Sequence, residues 1–215
     1  MSKARVKKPT QNYPSLTKKE LLKKLKSKKI KISPLLKKAL VQAKQSHGKQ
    51  KRDSGEPYLE QHIYPVISDL TDSYGKKQCP ETLIIAAALH DVLEDDHRVT
   101  DYNFIEKFGK EIYFIIKPLT KEHPQNLLSQ SEEKKMSINK KMLKIISKSH
   151  KFTRLIKLAD RTNNLASIKA IKNTNPAKFK RYVYETNKIY LPFAKKDSRY
   201  YYTKLKSILA HLRQG

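Results

Sequence analysis

The stretch Leu83-Ile84-Ile85-Ala86-Ala87-Ala88-Leu89-His90-Asp91-Val92-Leu93-Glu94-Asp95 constrains this chain more than any other. Its apolar run is far too short to cross a bilayer and reads as a buried helix. Residues three and four apart share a helical face, so His90 falls above Glu94, and Asp91 lies within reach of Glu94 and Asp95. Four groups that bind metals or carry protons therefore gather at the end of an apolar segment. Burying that much charge is costly unless something compensates it, and a divalent metal is the simplest compensation.

Around this segment the helix signals continue. Thr17-x-x-Glu20 is a capping-box pattern that opens an amphipathic helix to about residue 29, and Ser33-Pro34 starts another that runs to about residue 46. His47–Pro57, with Gly48 and Gly55, reads as a loop. Further helices are expected near 59–74, 81–95, 101–116, 132–148, 151–172, 176–195 and 197–213, with Thr100-Asp101 and Asn175-Pro176 as two of the starts. His123–Ser131 reads as a polar loop, and residues 1–13 as a disordered basic tail. No period-two strand pattern or internal repeat is visible, and no domain boundary follows residue 45. The expectation is all-α, in one domain.

Charge is the second constraint. The 215 residues carry a formal net charge of +27, and about half of that excess precedes residue 41, where Glu20 is the sole acid. Such a surface attracts polyanions: nucleic acid, ribosome, acidic membrane or a polyphosphate substrate. Solvated faces in a lysine-rich chain account for it equally well. With Cys79 as the single cysteine no intrachain disulfide can form, and no apolar stretch follows the basic N-terminus as in a secretory leader. A cytoplasmic location fits both. No GxxxxGK or GxGxxG phosphate loop is present.

Two further segments carry what a site at His90-Asp91 needs. Arg52-Asp53-Ser54-Gly55-Glu56-Pro57-Tyr58-Leu59-Glu60-Gln61-His62 combines a cation, a hydroxyl and a helix-borne histidine. In Leu155-Ile156-Lys157-Leu158-Ala159-Asp160-Arg161-Thr162-Asn163-Asn164 an apolar stripe ends at Asp160, with Asn164 one turn on. His62, His90, Asp91 and Asp160 offer two imidazoles and two carboxylates, a mixed set that suits Mn²⁺ or Fe²⁺ with open positions better than a closed zinc site. Glu94 and Asp95 stand where they can orient a water or move its proton. Taken alone, each piece has a plainer reading: His62 as a satisfied helix histidine, Asp160-Arg161 as a helix-end charge pair, Glu94-Asp95-Asp96 as a solvated turn. Their combination in an apolar context argues for a site.

These residues resemble a known family. His47-Gly-Lys-Gln50-Lys-Arg52-x-Ser54-Gly55-Glu56-Pro57-Tyr58, Ala88-Leu-His90-Asp91-Val-Leu-Glu94-Asp95, Phe108-Gly109, Leu119-Thr120-Lys121, Ile156-Lys157-Leu158-Ala159-Asp160-Arg161-x-x-Asn164 and Tyr190-x-Pro192-x-Ala194 follow, in order over roughly residues 38–196, the pattern of the HD superfamily of metal-dependent phosphohydrolases. They are most similar to the hydrolase domain of RelA/SpoT-type enzymes and the small alarmone hydrolases. The resemblance implies an HD-type helical domain over 31–215, preceded by a basic tail and amphipathic helix over 1–30. It implies a Mn²⁺-dependent enzyme that removes the 3′-pyrophosphate from guanosine tetra- or pentaphosphate. His62, His90, Asp91 and Asp160 would then be metal ligands, Glu94 and Asp95 the acidic pair acting on water, and Arg52, Ser54, Asn164 and Ser167 the nucleotide contacts. A synthetase domain is not expected in this length. The alternatives are an HD phosphohydrolase for another nucleotide or phosphorylated cofactor, or a basic nucleic-acid or ribosome-binding module with a degenerate site.

Two departures from the pattern matter. His62 comes one residue later than the family's His-Pro, which calls for a one-residue bulge or a shifted helix start. Asp160-Arg161-Thr162-Asn163-Asn164 stands for the usual Asp-Arg-Leu-His-Asn, so a histidine expected beside the nucleotide is absent.

Overall fold

The computed structural model describes residues 15–121 and 130–214. The tail expected over 1–13 lies outside them, as does most of the loop expected over 123–131. Among the described residues the secondary structure is helical, apart from one antiparallel bridge between Lys51 and Pro57.

The caps act where the side chains that make them stand. α1 (Lys18–Ser27) begins at Thr17, whose Oγ1 accepts from the Glu20 N–H at 3.3 Å while Glu20 accepts from the Thr17 N–H at 2.7 Å. α2 (Pro34–His47) starts at Ser33, which accepts from the Leu36 N–H, with Pro34 in the first turn. α3 (Tyr64–Ser73) and α4 (Glu81–Leu89) follow, then α5 (Val92–Asp95) and α6 (Asp101–Ile116), capped by Thr100. The chain continues with α7 (Glu132–Ile146), α8 (Lys151–Ser167), α9 (Pro176–Glu185), capped by Asn175, α10 (Leu191–Asp197) and α11 (Arg199–Gln214).

α4 is the centre. Every residue from Leu83 to Leu89 is buried, because the segment is apolar on all sides and α2, α3, α6 and α8 surround it. α8 is the second pillar, packed on α3 and α11. α1 lies against α3 with Leu21 and Leu25 fully buried, and Lys24 pins it through Asp72 at 2.5 Å.

Five helices expected to be continuous are interrupted, the 151–172 segment by a 3-10 turn over Ile168–Ile171. The 81–95 segment breaks at His90-Asp91, where His90 closes α4 and Asp91 (φ −103°, ψ −4°) precedes the short helix that carries Glu94 and Asp95. The 101–116 segment kinks at Gly109, whose φ of 84° is open only to glycine without strain. The other two breaks are π-helical turns, Leu59–Ile63 before α3 and Thr186–Tyr190 before α10. Such turns accommodate one extra residue and recur at functional sites.

Candidate active site

The first π turn is how the late histidine reaches His90 and Asp91. The expected bulge takes the form of a wide turn over Leu59–Ile63, and His62 projects from it into the protein, 1% exposed. His90 sits at the end of α4, 3% exposed, with Asp91 beside it. His62 Nε2 is 3.3 Å from Asp91 Oδ2 and 3.6 Å from Asp160 Oδ1, and His90 Nε2 is 3.1 Å from Asp91 Oδ2. His62, His90 and Asp91 each offer a ligand atom within 4.8 Å of the others, and Asp160 stands at the edge of that group. α8 brings Asp160 in, and its apolar face is held by the core at Leu155, Ile156, Leu158 and Ala159.

Electrostatics favour a cation at this point. Burial alone would lower His90, but the adjacent Asp91 carboxylate wins and holds it at about 9. Burial would raise Asp91, yet the His90 charge, with His62 on its other side, keeps it well below the usual carboxylate range. Asp160 is likewise held at about 2, its burial outweighed chiefly by Lys157, whose Nζ is 3.0 Å away. His62 goes the other way: desolvation lowers it and so favours its neutral form. His90 Nε2, buried and without a hydrogen bond, faces the same carboxylate, and a hard cation with mixed nitrogen and oxygen donors fits this set.

Glu94 and Asp95 sit beside this group, each already engaged. Glu94 accepts from Lys121 twice, from Nζ at 2.8 Å and from the backbone N–H at 3.2 Å. Asp95 accepts from Gln50 Nε2 at 3.0 Å, and Gln50 in turn meets His47 Nδ1 at 2.7 Å. Burial, then the neighbouring Asp91 charge, raises the Asp95 pKa, which equips it to hold a proton.

The cleft holds about 600 Å³ and is lined by Arg52, Tyr58, His90, Asp91, Glu94, Asp95, Lys121, Lys157, Asp160, Asn164, Lys178, Arg181, Tyr182 and Tyr190, among others. An adjoining recess of about 170 Å³ is lined by Ser54 and Ser167 together with Arg52, Tyr58, Asn164 and Tyr182. Arg52 binds this end together: Nη2 donates to Asn164 Oδ1 at 2.7 Å and to Ser167 Oγ at 3.2 Å, and its guanidinium lies 5.5 Å from the Tyr58 ring centre. Asn164 also donates to Asp160. Gly55, at φ 85°, turns the Arg52–Tyr58 loop so that both side chains reach the cleft.

Several site residues have roles that sequence reasoning did not assign. Tyr58 donates to Asp91 at 2.7 Å, Gln50 holds Asp95, Lys121 holds Glu94, and Asn163 meets His62 rather than the cleft. Arg161 is buried against Glu185 and Thr186, between the rings of Tyr182 and Tyr190 at 4.4 Å from each, so it is a scaffold for that wall. The signal available in the sequence was chemical type at motif positions, without a partner.

Residues 39–198 match the model of a family described as HD domain. A GTP pyrophosphokinase rsh of Brucella ovis is 36% identical over 160 residues, 74% of this chain and 20% of that one. The bifunctional (p)ppGpp synthase/hydrolase SpoT of Escherichia coli is 30% identical over 161 residues, 74% of this chain and 21% of its own length. The chain thus spans about a fifth of these relatives. A solved structure described as a metazoan ortholog of SpoT that hydrolyses ppGpp has the same fold, with a TM-score of 0.68 at 21% identity over 84% of this chain and 97% of that one. The helical frame, the His-Asp pair at the break after α4 and a family match over most of the sequence lead to one statement: this chain belongs to the HD domain family.

Proposed function

We propose that this chain is a metal-dependent phosphohydrolase that removes the 3′-pyrophosphate from guanosine tetra- or pentaphosphate, with Mn²⁺ as its metal. The observation that carries the reading is the convergence of His62, His90 and Asp91, with Asp160 beside them, on one side of a cleft whose walls supply cations. His62, His90, Asp91 and Asp160 would hold the metal, which when bound acidifies water and polarises a phosphoryl oxygen.

The chain's own residues do the rest. Glu94 and Asp95 take the proton of the attacking water and return one to the ribose 3′-oxygen as the bond from that oxygen to phosphorus breaks and pyrophosphate leaves. Lys121 and Lys157, now paired with Glu94 and Asp160, are within the cleft to meet phosphate charge, as are Lys178 and Arg181. Arg52 and Tyr58 offer a planar cation and a ring to the base, with Ser54, Asn164 and Ser167 around them. The relatives' names mention both synthesis and hydrolysis of such nucleotides. The HD-type donor set favours hydrolysis, and the fold likeness to a ppGpp hydrolase agrees with it.

Pyrophosphate release from guanosine tetraphosphate, measured on purified protein with and without Mn²⁺, tests the proposal. Metal-dependent release supports it. Bound Mn²⁺ without release moves the substrate to another nucleotide or phosphorylated cofactor, and no bound metal removes the reading altogether.

A second contact is proposed for the basic extension. Lys18, Lys19, Lys23 and Lys26 are exposed along α1, and Lys37 and Lys44 along α2, where they suit the phosphates of a nucleic acid. Replacing the four α1 lysines with glutamine should weaken single-stranded RNA binding and flatten its salt dependence, by about 0.7 in logarithmic slope for each phosphate no longer neutralised. An unchanged slope would make these lysines a solvated face. Residues 1–30 are read as this extension and 31–215 as the hydrolase unit. No helix among the described residues is long and apolar enough to cross a membrane, and the proposed setting is the cytoplasm.

A further inference from the structure

Asn163 occupies the position where the resemblance leads one to expect a histidine beside the nucleotide. It is 1% exposed and does not line the cleft; it faces the first π turn instead. Its Nδ2 lies 3.1 Å from the carbonyl oxygen of Gln61, and its Oδ1 lies 2.6 Å from Nδ1 of His62. An α-helical donor for the Gln61 carbonyl is ruled out by the sequence, because the residue four positions on is Pro65, which has no N–H. The Asn163 amide supplies a donor there.

That bond decides the rest. A carbonyl oxygen accepts and never donates, so the NH₂ of Asn163 must face Gln61, and its oxygen must then face His62. Oδ1 in turn accepts only, so the ring hydrogen of neutral His62 belongs on Nδ1. The lone pair of Nε2 is left facing Asp91 Oδ2 at 3.3 Å and Asp160 Oδ1 at 3.6 Å, an arrangement of three electron-rich atoms that a cation resolves. His90 Nδ1 likewise carries a hydrogen, since it lies 2.7 Å from the carbonyl oxygen of Ala87.

We propose that Asn163 is a positioning residue: it locks His62 in the tautomer that presents Nε2, and it ties the π turn to α8 so that the ring stays aimed at the carboxylates. The inference rests on the metal-site reading given above. Outer partners of ligating histidines commonly tune metal affinity by 10- to 100-fold.

The test has two arms. In metal-free protein labelled with ¹⁵N-histidine at pH 8, with His62 signals assigned by their loss in His62→Gln, long-range ¹⁵N correlations should place the hydrogen on Nδ1. A hydrogen on Nε2, alone or with both nitrogens protonated, overturns the proposal without any variant at Asn163. In the second arm Mn²⁺ affinity is measured by titration. Asn163→Ala should bind about 10- to 100-fold more weakly, while Asn163→Asp, which keeps an acceptor for Nδ1, should recover most of the loss. Tight Mn²⁺ binding by the parent with equal binding by Asn163→Ala overturns the role of Asn163 alone. No Mn²⁺ binding by the parent overturns the metal-site reading and this inference with it.

Discussion

Asp91→Ala is expected to abolish pyrophosphate release, lowering kcat/KM by about 10³-fold or more, which corresponds to about 4 kcal/mol of transition-state stabilisation. It is expected to lose its bound metal at the same time. Asp91 Oδ2 is the atom the site shares: both imidazole Nε2 atoms lie within 3.3 Å of it, and Tyr58 donates to it at 2.7 Å. Removing the carboxylate takes a negative charge from between two histidines and leaves the remaining donors without a common centre. The fold should survive, because the core around α4 is built from Leu83 to Leu89, and Asp91 stands at its end. Circular dichroism checks that point. Thermal shift supplies the discriminating readout: Mn²⁺ at about 100 times its dissociation constant should stabilise the parent by about 2.7 kcal/mol, and Asp91→Ala should not respond. Turnover retained in a folded Asp91→Ala protein would remove His90-Asp91 from the chemistry.

The fold was largely legible because most helices here begin at a residue whose side chain caps them. Thr17, Ser33, Thr100 and Asn175 each accept from a backbone N–H two or three positions into the helix they precede, and nothing distant is needed to place those starts. Interruptions inside helices were harder to read. A π turn keeps nearly the same apolar spacing as the helix around it, so Leu59–Ile63 and Thr186–Tyr190 leave little trace in periodicity. Only the displaced histidine pointed to the first of them. Gly109 falls inside the segment expected as one helix over 101–116, and its φ of 84° separates the two halves of α6.

The same division holds for the site. Residue types that must be buried beside charge, such as His90 and Asp91 after an apolar run, declare themselves locally. Their partners do not. Lys121 reaches Glu94 across 27 positions, and Asn163 reaches His62 across 101, contacts that depend on how α3, α5 and α8 pack. Arg161 illustrates the ambiguity best. Beside Asp160 it reads as one half of a helix-end pair, whereas its guanidinium is enclosed by Glu185, Thr186 and two tyrosine rings.

Glu94→Gln tests the division of labour between metal and proton transfer. The carboxylate lies beside the donor group but is not one of the atoms that converge within 4.8 Å, and both of its oxygens accept from Lys121. Glutamine has nearly the same shape and keeps an acceptor for Lys121, so the cleft should be preserved while the ability to take a proton is lost. The expected result is a kcat lower by about 10²- to 10⁴-fold, with Mn²⁺ affinity close to that of the parent. A metal-free Glu94→Gln protein would instead make Glu94 a ligand. A third possibility is that Glu94 serves only to hold Lys121, and Lys121→Met separates it. If Glu94 works through Lys121, Lys121→Met should reproduce the loss in kcat and the double variant should add nothing. If Glu94 handles the proton itself, Lys121→Met should chiefly raise KM for the anionic nucleotide, because it removes a cation from the cleft and leaves the base in place.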